Sequence, residues 1–185
     1  MRIVAGEFRG RKLKTLPGLK VRPTADKVKE AVFSAVNPYV YDCLFLDVFG
    51  GCGNMALEAL SRGAQRAVII EKDRQAQEII SANIALCQAQ EKCELLKKDC
   101  LIALKELGER RVKFNLIYVD PPYKGGLYEQ VLTLIAQGQL LDKEGLMMVE
   151  SERDFSLKID ENIWQVVKEK YYGNTKVTTL AWKEN

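Results

Sequence analysis

From Cys43 onward, short runs of apolar residues alternate with longer stretches in which apolar residues recur every three or four positions. The runs at 43–48, 67–71, 93–97, 114–119 and 145–149 are short and nearly uninterrupted, so they read as buried strands. Helical spacing falls between them, over roughly 54–62, 74–89, 101–107 and 128–137. Apolar strands separated by helices predict a parallel sheet covered on both faces. Near the carboxyl end the character changes. Segments 164–172 and 175–182 are strand-like and are joined by Gly173-Asn174, a hairpin turn signal. The expected fold is therefore α/β, a doubly wound sheet ending in an antiparallel hairpin.

The first sixteen residues alternate loosely and contain Gly6 and Gly10, which suits a short basic β-hairpin closed off by Pro17-Gly18. Arg22-Pro23-Thr24 then leads into a helix. Thr24 is the expected N-cap and Asp26 sits in the first turn; Val28, Ala31, Val32, Ala35 and Val36 follow at helical spacing until Asn37-Pro38 stops the pattern. No repeat, low-complexity segment or linker interrupts the chain. It reads as one domain over 1–185: a basic amino-terminal hairpin (1–20), a helix opened by Arg-Pro-Thr (21–38) and a sheet core (43–185).

Composition changes this picture in three ways. No apolar run approaches the ~20 residues that cross a bilayer, and the amino end lacks the long apolar stretch of a signal peptide, so the cytoplasm is the expectation; the sequence does not read out an oligomeric state, and monomer is the default. Five cysteines form no C-x-x-C pair, and an odd count argues for free thiols. Histidine is absent, which removes imidazole bases and His-containing zinc sites; no metal is expected. Charge is uneven. Residues 1–29 carry nine Lys or Arg against Glu7 and Asp26, a net of +7 that leaves the rest of a +3 chain at −4. A basic amino-terminal segment on a slightly acidic body suggests a polyanionic partner, although a solvated charged face would look the same.

Two stretches carry candidate chemistry. In Leu46-Asp47-Val48-Phe49-Gly50-Gly51-Cys52-Gly53-Asn54-Met55-Ala56 a strand passes through glycines into a helix. Glycines let backbone approach a ligand, and a helix start supplies free N–H groups. Gly51-x-Gly53-x-x-Ala56, with Glu71 about twenty residues on at the next strand end, fits a site for an adenosine-containing cofactor, the acid accepting from ribose hydroxyls. Asp47 favours S-adenosylmethionine over a dinucleotide, because a carboxylate there would oppose a pyrophosphate but suits a sulfonium and an ammonium. Asp99, after the third strand, is placed to accept from an adenine amino group. As single acids, Asp47 and Asp99 could equally be turn or cap residues.

The second stretch is Asp120-Pro121-Pro122-Tyr123, directly after the apolar run 114–119. Two prolines fix φ and lack N–H, so they hold a rigid turn that exposes carbonyls. The Asp120 carboxylate and the Pro121 carbonyl can together accept both hydrogens of an –NH₂ group. Tyr123 offers a flat face for stacking a base. Methyl transfer to an amine held this way depends on proximity and orientation and needs no strong base.

Across nearly its whole length the sequence resembles the RsmD-type bacterial methyltransferases of small-subunit ribosomal RNA. The resemblance rests on Arg2-Ile3-Val4-Ala5-Gly6 with Arg9-Gly10-Arg11-Lys12-Leu13, then Arg22-Pro23-Thr24, and the D-x-F-x-G-x-G loop at Asp47–Gly53. Leu57-Glu58-Ala59-Leu60-Ser61-Arg62-Gly63-Ala64, Glu71, Asn83 and Asp120-Pro121-Pro122-Tyr123 complete it. Four positions depart from the usual pattern: Ala56 for glycine, Lys29 for arginine, Cys52 for serine and Tyr123 for phenylalanine. The resemblance implies a seven-stranded methyltransferase sheet with an added amino-terminal hairpin. It also implies S-adenosylmethionine as cofactor, S-adenosylhomocysteine as product, and guanine N2 of 16S ribosomal RNA as target, within a partly or fully assembled 30S particle. Arg9, Arg11, Lys12 and Lys14 would then contact phosphates. Arg22 and Thr24 would lie near the cofactor and the target base, and Phe49 near the cofactor in its loop.

Other readings stay open at this level. The amine-holding turn serves adenine N6 and cytosine N4 on DNA or other RNA equally well. A nicotinamide dehydrogenase would share the glycine loop but give Asp120–Tyr123 no part. A non-catalytic RNA-binding module would need neither the loop nor the turn.

Overall fold

The computed structural model describes residues 1–16, 23–122 and 126–184, and for 23–25 the backbone alone. Seven strands form one sheet: β1 (Leu44–Asp47), β2 (Arg66–Ile70), β3 (Cys93–Leu96), β4 (Phe114–Val119), β5 (Leu141–Glu152), β6 (Trp164–Tyr172) and β7 (Thr175–Trp182). Their order is β3-β2-β1-β4-β5-β7-β6. The first five are parallel, β7 is antiparallel to β5, and β6 is antiparallel to β7. The expected doubly wound sheet with a terminal hairpin is what the chain forms.

Helices α1 (Pro23–Ala35), α2 (Asn37–Val40), α3 (Asn54–Ser61), α4 (Arg74–Leu86), α5 (Cys100–Glu109) and α6 (Leu127–Gln137) cover it. Alternation along the strands divides the core. Phe45, Ile69 and Leu116 face a layer holding α1, α3, α4 and the amino-terminal segment, whereas Leu46, Val68 and Ile117 face α5 and α6. Burial on both faces explains why these strands lack polar alternation.

Three expectations need correction. The amino-terminal segment is no regular hairpin: a single antiparallel bridge, Arg2 to Lys12, closes a looped chain with bends between. Its buried residues, Ile3, Phe8 and Leu13, are spaced by five rather than two. The amides of Ile3, Gly10 and Leu13 still pair across the segment, but those of Val4, Ala5 and Phe8 turn to α3. Val4 and Ala5 N–H donate to Glu58 (2.8 and 3.1 Å) and Phe8 N–H to Ser61 Oγ (2.9 Å). A Cβ at Gly6 (φ +82°) would lie 1.7 Å from the Ser61 carbonyl oxygen, so only glycine lets the segment approach α3 this closely.

Helix α1 begins at Pro23, so Thr24 lies inside its first turn rather than at the cap. Proline suits that position, where an amide hydrogen would have no helical acceptor. Strand β5 starts at Leu141, four residues before the expected 145. Its opening stretch, Asp142-Lys143-Glu144, is polar, and the ladder slips between Phe114 and Leu116. Gly145 accommodates that slip, since a Cβ there would lie 2.9 Å from the Asn115 carbonyl oxygen.

Under the amino-terminal segment lies a buried ionic network. Lys29 Nζ lies 3.1 Å from Glu58 Oε2 and donates to Asn54 Oδ1 (2.8 Å) and to the Arg2 carbonyl. Arg62 Nε donates to Glu58 Oε1 at 2.8 Å, and its guanidinium stacks over Phe33, 5.1 Å from the ring centroid. Lys29 and Glu58 are 1% and 0% exposed, so each charge relies on the other and on these hydrogen bonds. The network joins α1, α3 and residues 2–5 into one unit.

Candidate active site

The chain runs from β1 outward through β2 to β3, then returns to place β4 on the other side of β1. The strand order therefore switches between β1 and β4, and open α/β sheets bind ligands outside the strand ends at such a point. A cavity of about 420 Å³ opens there. Phe49, Ile70, Ala76 and Leu127 give it apolar walls, and Glu71, Asp99 and Asp120 line it with carboxyl groups. Two wider clefts, about 640 and 610 Å³, lie away from these strand ends and gather no comparable set of acids.

The glycine loop turns sharply into α3. Gly50 N–H donates to the Ile70 carbonyl (2.9 Å) and Gly53 N–H to the Gly50 carbonyl (2.7 Å). Gly51 and Gly53 have φ of +55° and +79°, a region other residues rarely adopt. Glu71 supports the loop: its carboxylate accepts from Gly51 N–H (2.9 Å) and Asp73 N–H (2.8 Å). Each oxygen has a further lone pair, so the group remains able to accept from two hydroxyls. Asn83 works from below. It accepts from Lys14 N–H (2.8 Å) and donates to the carbonyls of Lys14 (3.0 Å) and Cys52 (2.9 Å), tying the basic segment to the glycine loop.

Asp47 is 1% exposed, and its Oδ1 has no hydrogen-bond partner. Burial pushes its carboxyl up to about 8, although backbone N–H groups of Phe49 and Ala56 pull the other way and the charge of Glu71 adds to the rise. Asp120 is displaced in the same direction, well above the usual carboxylate range, by burial first and then by the charges of Glu150 and Asp47. Glu150 is raised by burial and partly restored by the Tyr118 hydroxyl, which donates to its Oε2. Three acids withdrawn from water thus converge with no salt-bridge partner among the described residues; Lys72 and Lys98, at the other wall of the cavity, pair with Asp99 and Glu106. A desolvated carboxylate without a counter-charge is costly. The arrangement suits a cationic ligand.

Of the residues singled out in the sequence, Phe49, Gly51, Glu71, Asp99, Asp120, Pro121 and Pro122 line this cavity, whereas Asp47 and Gly53 lie buried behind it at the end of β1 and the start of α3. Asp99 also has a local task, capping α5 by accepting from Leu101 N–H (2.9 Å). Arg22, Tyr123, the Pro17-Gly18 turn and the side chain of Thr24 lie outside the described residues. Of the four basic candidates, Arg9, Lys12 and Lys14 are exposed, whereas Arg11 is partly committed to the fold. It donates to the Leu86 carbonyl at the end of α4 (2.8 Å) and stacks on Phe8, 5.1 Å from the ring centroid. Sequence reasoning missed Glu150 and Tyr118. A signal is present for the first: Asp47, Glu71, Asp120 and Glu150 each follow an apolar run, but Glu150 has neither a glycine or proline behind it, as Asp47 and Asp120 have, nor the spacing of about twenty residues from a glycine loop that marks Glu71.

A family profile described as Conserved hypothetical protein 95 matches residues 1–181. The chain belongs to this family. Among curated relatives, it is 35% identical over 174 residues to Ribosomal RNA small subunit methyltransferase D of Haemophilus influenzae, covering 94% of this chain and 89% of that protein. It is also 35% identical over 173 residues to the Escherichia coli protein of the same name, covering 94% and 85% respectively. The solved structure of yhhF from Escherichia coli superposes with a TM-score of 0.86 at 34% identity, over 100% of this chain and 99% of that one. The resemblance to the RsmD-type proteins thus extends from the motifs to the whole fold.

Proposed function

We propose that this protein is an S-adenosylmethionine-dependent methyltransferase that modifies guanine N2 in small-subunit ribosomal RNA. It would act in the cytoplasm, as a monomer, on RNA within a partly or fully assembled 30S particle. One observation carries the reading: at the switch point of the sheet, Asp120 faces the Gly51–Glu71 loop across a single cavity with Asp47 buried at the end of β1, and neither acid is paired with a cation among the described residues. The relatives named as small-subunit methyltransferases support the RNA class. A nicotinamide dinucleotide fits this site less well, because its pyrophosphate would face Asp47.

The residues fit the cofactor group by group. Glu71 has lone pairs left for both ribose hydroxyls, Asp99 lies at the cavity wall for the adenine amine, and the orphaned Asp47 Oδ1 awaits a cation. When bound, S-adenosylmethionine supplies an electrophilic methyl group on a positively charged sulfur. The chain's own residues prepare the acceptor. Asp120 Oδ and the Pro121 carbonyl each accept one N–H of the target amine, which turns the nitrogen lone pair toward the cavity. Asp120, whose ionised form burial disfavours, would regain it beside a bound cation. With the cofactor held there, the acceptor nitrogen would take the methyl group by orientation, leaving S-adenosylhomocysteine as a neutral thioether, and the surplus amine proton would pass to Asp120 or to solvent.

The test is a map of methylated nucleotides in ribosomal RNA from cells lacking, and then regaining, the protein. A small-subunit guanine that loses its N2-methyl group and recovers it on complementation is the expected result. Loss at an adenine N6 or a cytosine N4 instead would replace the base assignment while leaving the class intact.

A further inference from the structure

Glu150 is a half-buried acid that the methyl-transfer scheme leaves without a task. Its place is fixed by register. Strands β4 and β5 run parallel with Tyr118 beside Met148 and Val119 beside Val149, so Asp120 and Glu150 are the next neighbours as the two strands leave the sheet. Alternation puts Tyr118, Asp120, Met148 and Glu150 on the face shared with α1 and the amino-terminal segment. Two contacts hold Glu150 there. The Tyr118 hydroxyl donates to its Oε2, and the Tyr128 hydroxyl donates to its backbone carbonyl at 3.0 Å. Among the described residues its carboxylate accepts at Oε2, from Tyr118, and not at Oε1. Two carboxyl groups therefore stand side by side where the target base must sit.

The Watson–Crick edges of the three amine-bearing bases differ at this point. Guanine presents contiguous donors, N1–H next to N2–H₂. Adenine and cytosine present one amine beside a ring nitrogen that only accepts. A pair of ionised carboxylates complements two donors and opposes a lone pair.

We infer that Glu150 reads the target base: its Oε1 accepts guanine N1–H while Asp120 and the Pro121 carbonyl hold the N2 amine. Tyr118 is the positioning residue that fixes Oε2 and leaves Oε1 to face the base. This rests on the guanine reading above and adds what selects guanine. The shared turn at Asp120–Pro122 holds any amine, and the neighbour on β5 supplies the discrimination.

The test uses small-subunit RNA particles assembled with guanine or 2-aminopurine at the methylated position. 2-Aminopurine keeps the N2 amine but carries an acceptor at N1. For wild type, kcat/KM with 2-aminopurine should fall roughly a hundredfold or more below that with guanine, as sites built around a substrate hydrogen bond reject analogues lacking it. Glu150→Gln offers an amide N–H to the unprotonated N1, so it should lose activity on guanine and shift the ratio at least about tenfold toward 2-aminopurine. A purely structural role would lower both activities together and leave the ratio alone. Should Glu150→Gln not accumulate as folded protein, Glu150→Asp withdraws the carboxylate by one methylene and must move the ratio the same way.

Equal use of both bases by wild type, or an unchanged ratio in the folded variant, overturns the inference. Failure of the guanine reading looks different: wild type would methylate neither guanine nor 2-aminopurine, and the cellular map would show another base.

Discussion

Two places in this molecule withdraw carboxylates from water, and they treat them in opposite ways. At Glu58 the charge is fully answered: Lys29 and Arg62 pair with it, and the amides of Val4 and Ala5 donate to the same oxygens. Asp47, Asp120 and Glu150 pair with no described cation, one oxygen has no partner, and the carboxyls are pushed toward their neutral forms. Both arrangements cost desolvation. The first recovers it within the fold and serves as architecture. The second is recovered only when a cation and an amine arrive, so it marks the site.

The largest effect should come from opening the satisfied network. Glu58→Ala leaves Lys29, 1% exposed, with only the Asn54 amide oxygen, the Arg2 carbonyl and Asp26 at 4.0 Å. Breaking a buried pair by removing one partner typically costs about 3–5 kcal/mol. Urea unfolding should register a loss of that order, and RNA binding should suffer too because residues 2–5 lose their anchor. Stability equal to wild type would mean that the network is incidental.

Asp120→Ala should act in the reverse sense, with little loss of stability and a large loss of chemistry. Misaligned reactants commonly react about a hundredfold more slowly or worse, and the folded variant should still bind cofactor. Single-turnover methyl transfer at saturating RNA and cofactor is the measurement. Near-wild-type transfer would remove Asp120 from the amine-holding role.

Asp47 turns the comparison into a pH dependence. Its carboxyl titrates near 3.8 when unfolded and about 8 in the folded, ligand-free protein. Below pH ~4 both states are protonated and the group costs nothing; as pH rises toward 8 the unfolded chain sheds its proton first, so folding stability contributed by this group declines. Asp47→Asn should therefore raise the melting temperature at pH 7 and change it little at pH 4. Cofactor binding carries the opposite sign. A cation favours the carboxylate, so S-adenosylmethionine should bind more tightly as pH climbs from 6 to 8, with proton release visible by calorimetry in buffers of different ionisation heat. The variant should bind about tenfold more weakly, the scale of one hydrogen bond to a charged group, and with a flat pH response. A steep response retained in Asp47→Asn would assign the proton to another acid.

What can be read from the sequence follows the same division. The strand acids Asp47, Glu71 and Asp120 are legible because each ends an apolar run beside a turn or loop. Glu150 is not, because β5 simply continues through it into Ser151-Glu152 with no glycine or proline to mark an end. The network at Glu58 is also hidden. Its residues are 4, 5, 29, 58 and 62, and neither helical periodicity nor local charge pattern indicates that Lys29 points inward. Helix and strand positions in the core are readable from periodicity. The amino-terminal segment mimics a hairpin in sequence because Gly6 and Gly10 resemble hairpin turns, whereas Gly6 is required for contact with Ser61.

The smallest expected effect concerns the exposed cations on that segment, which lie close in sequence to the anchors of the buried network. Arg9, Lys12 and Lys14 are open to solvent, while Arg11 spends its guanidinium on the Leu86 carbonyl and the Phe8 ring. If the three exposed residues neutralise phosphates, replacing them with glutamine should reduce the salt dependence of RNA binding, by up to about 0.7–0.9 in slope for each phosphate no longer neutralised. Folding and cofactor affinity should stay near wild type, since only the backbone of Lys14 meets Asn83. Arg11→Gln should separate from this set. It should lower stability by about 1 kcal/mol, the net worth of an ordinary hydrogen bond, and change the salt slope less than any of the three. Equal slopes for the triple variant and wild type would return these charges to a solvated face, and an Arg11 effect confined to RNA would mean that its contacts with α4 give way when RNA binds.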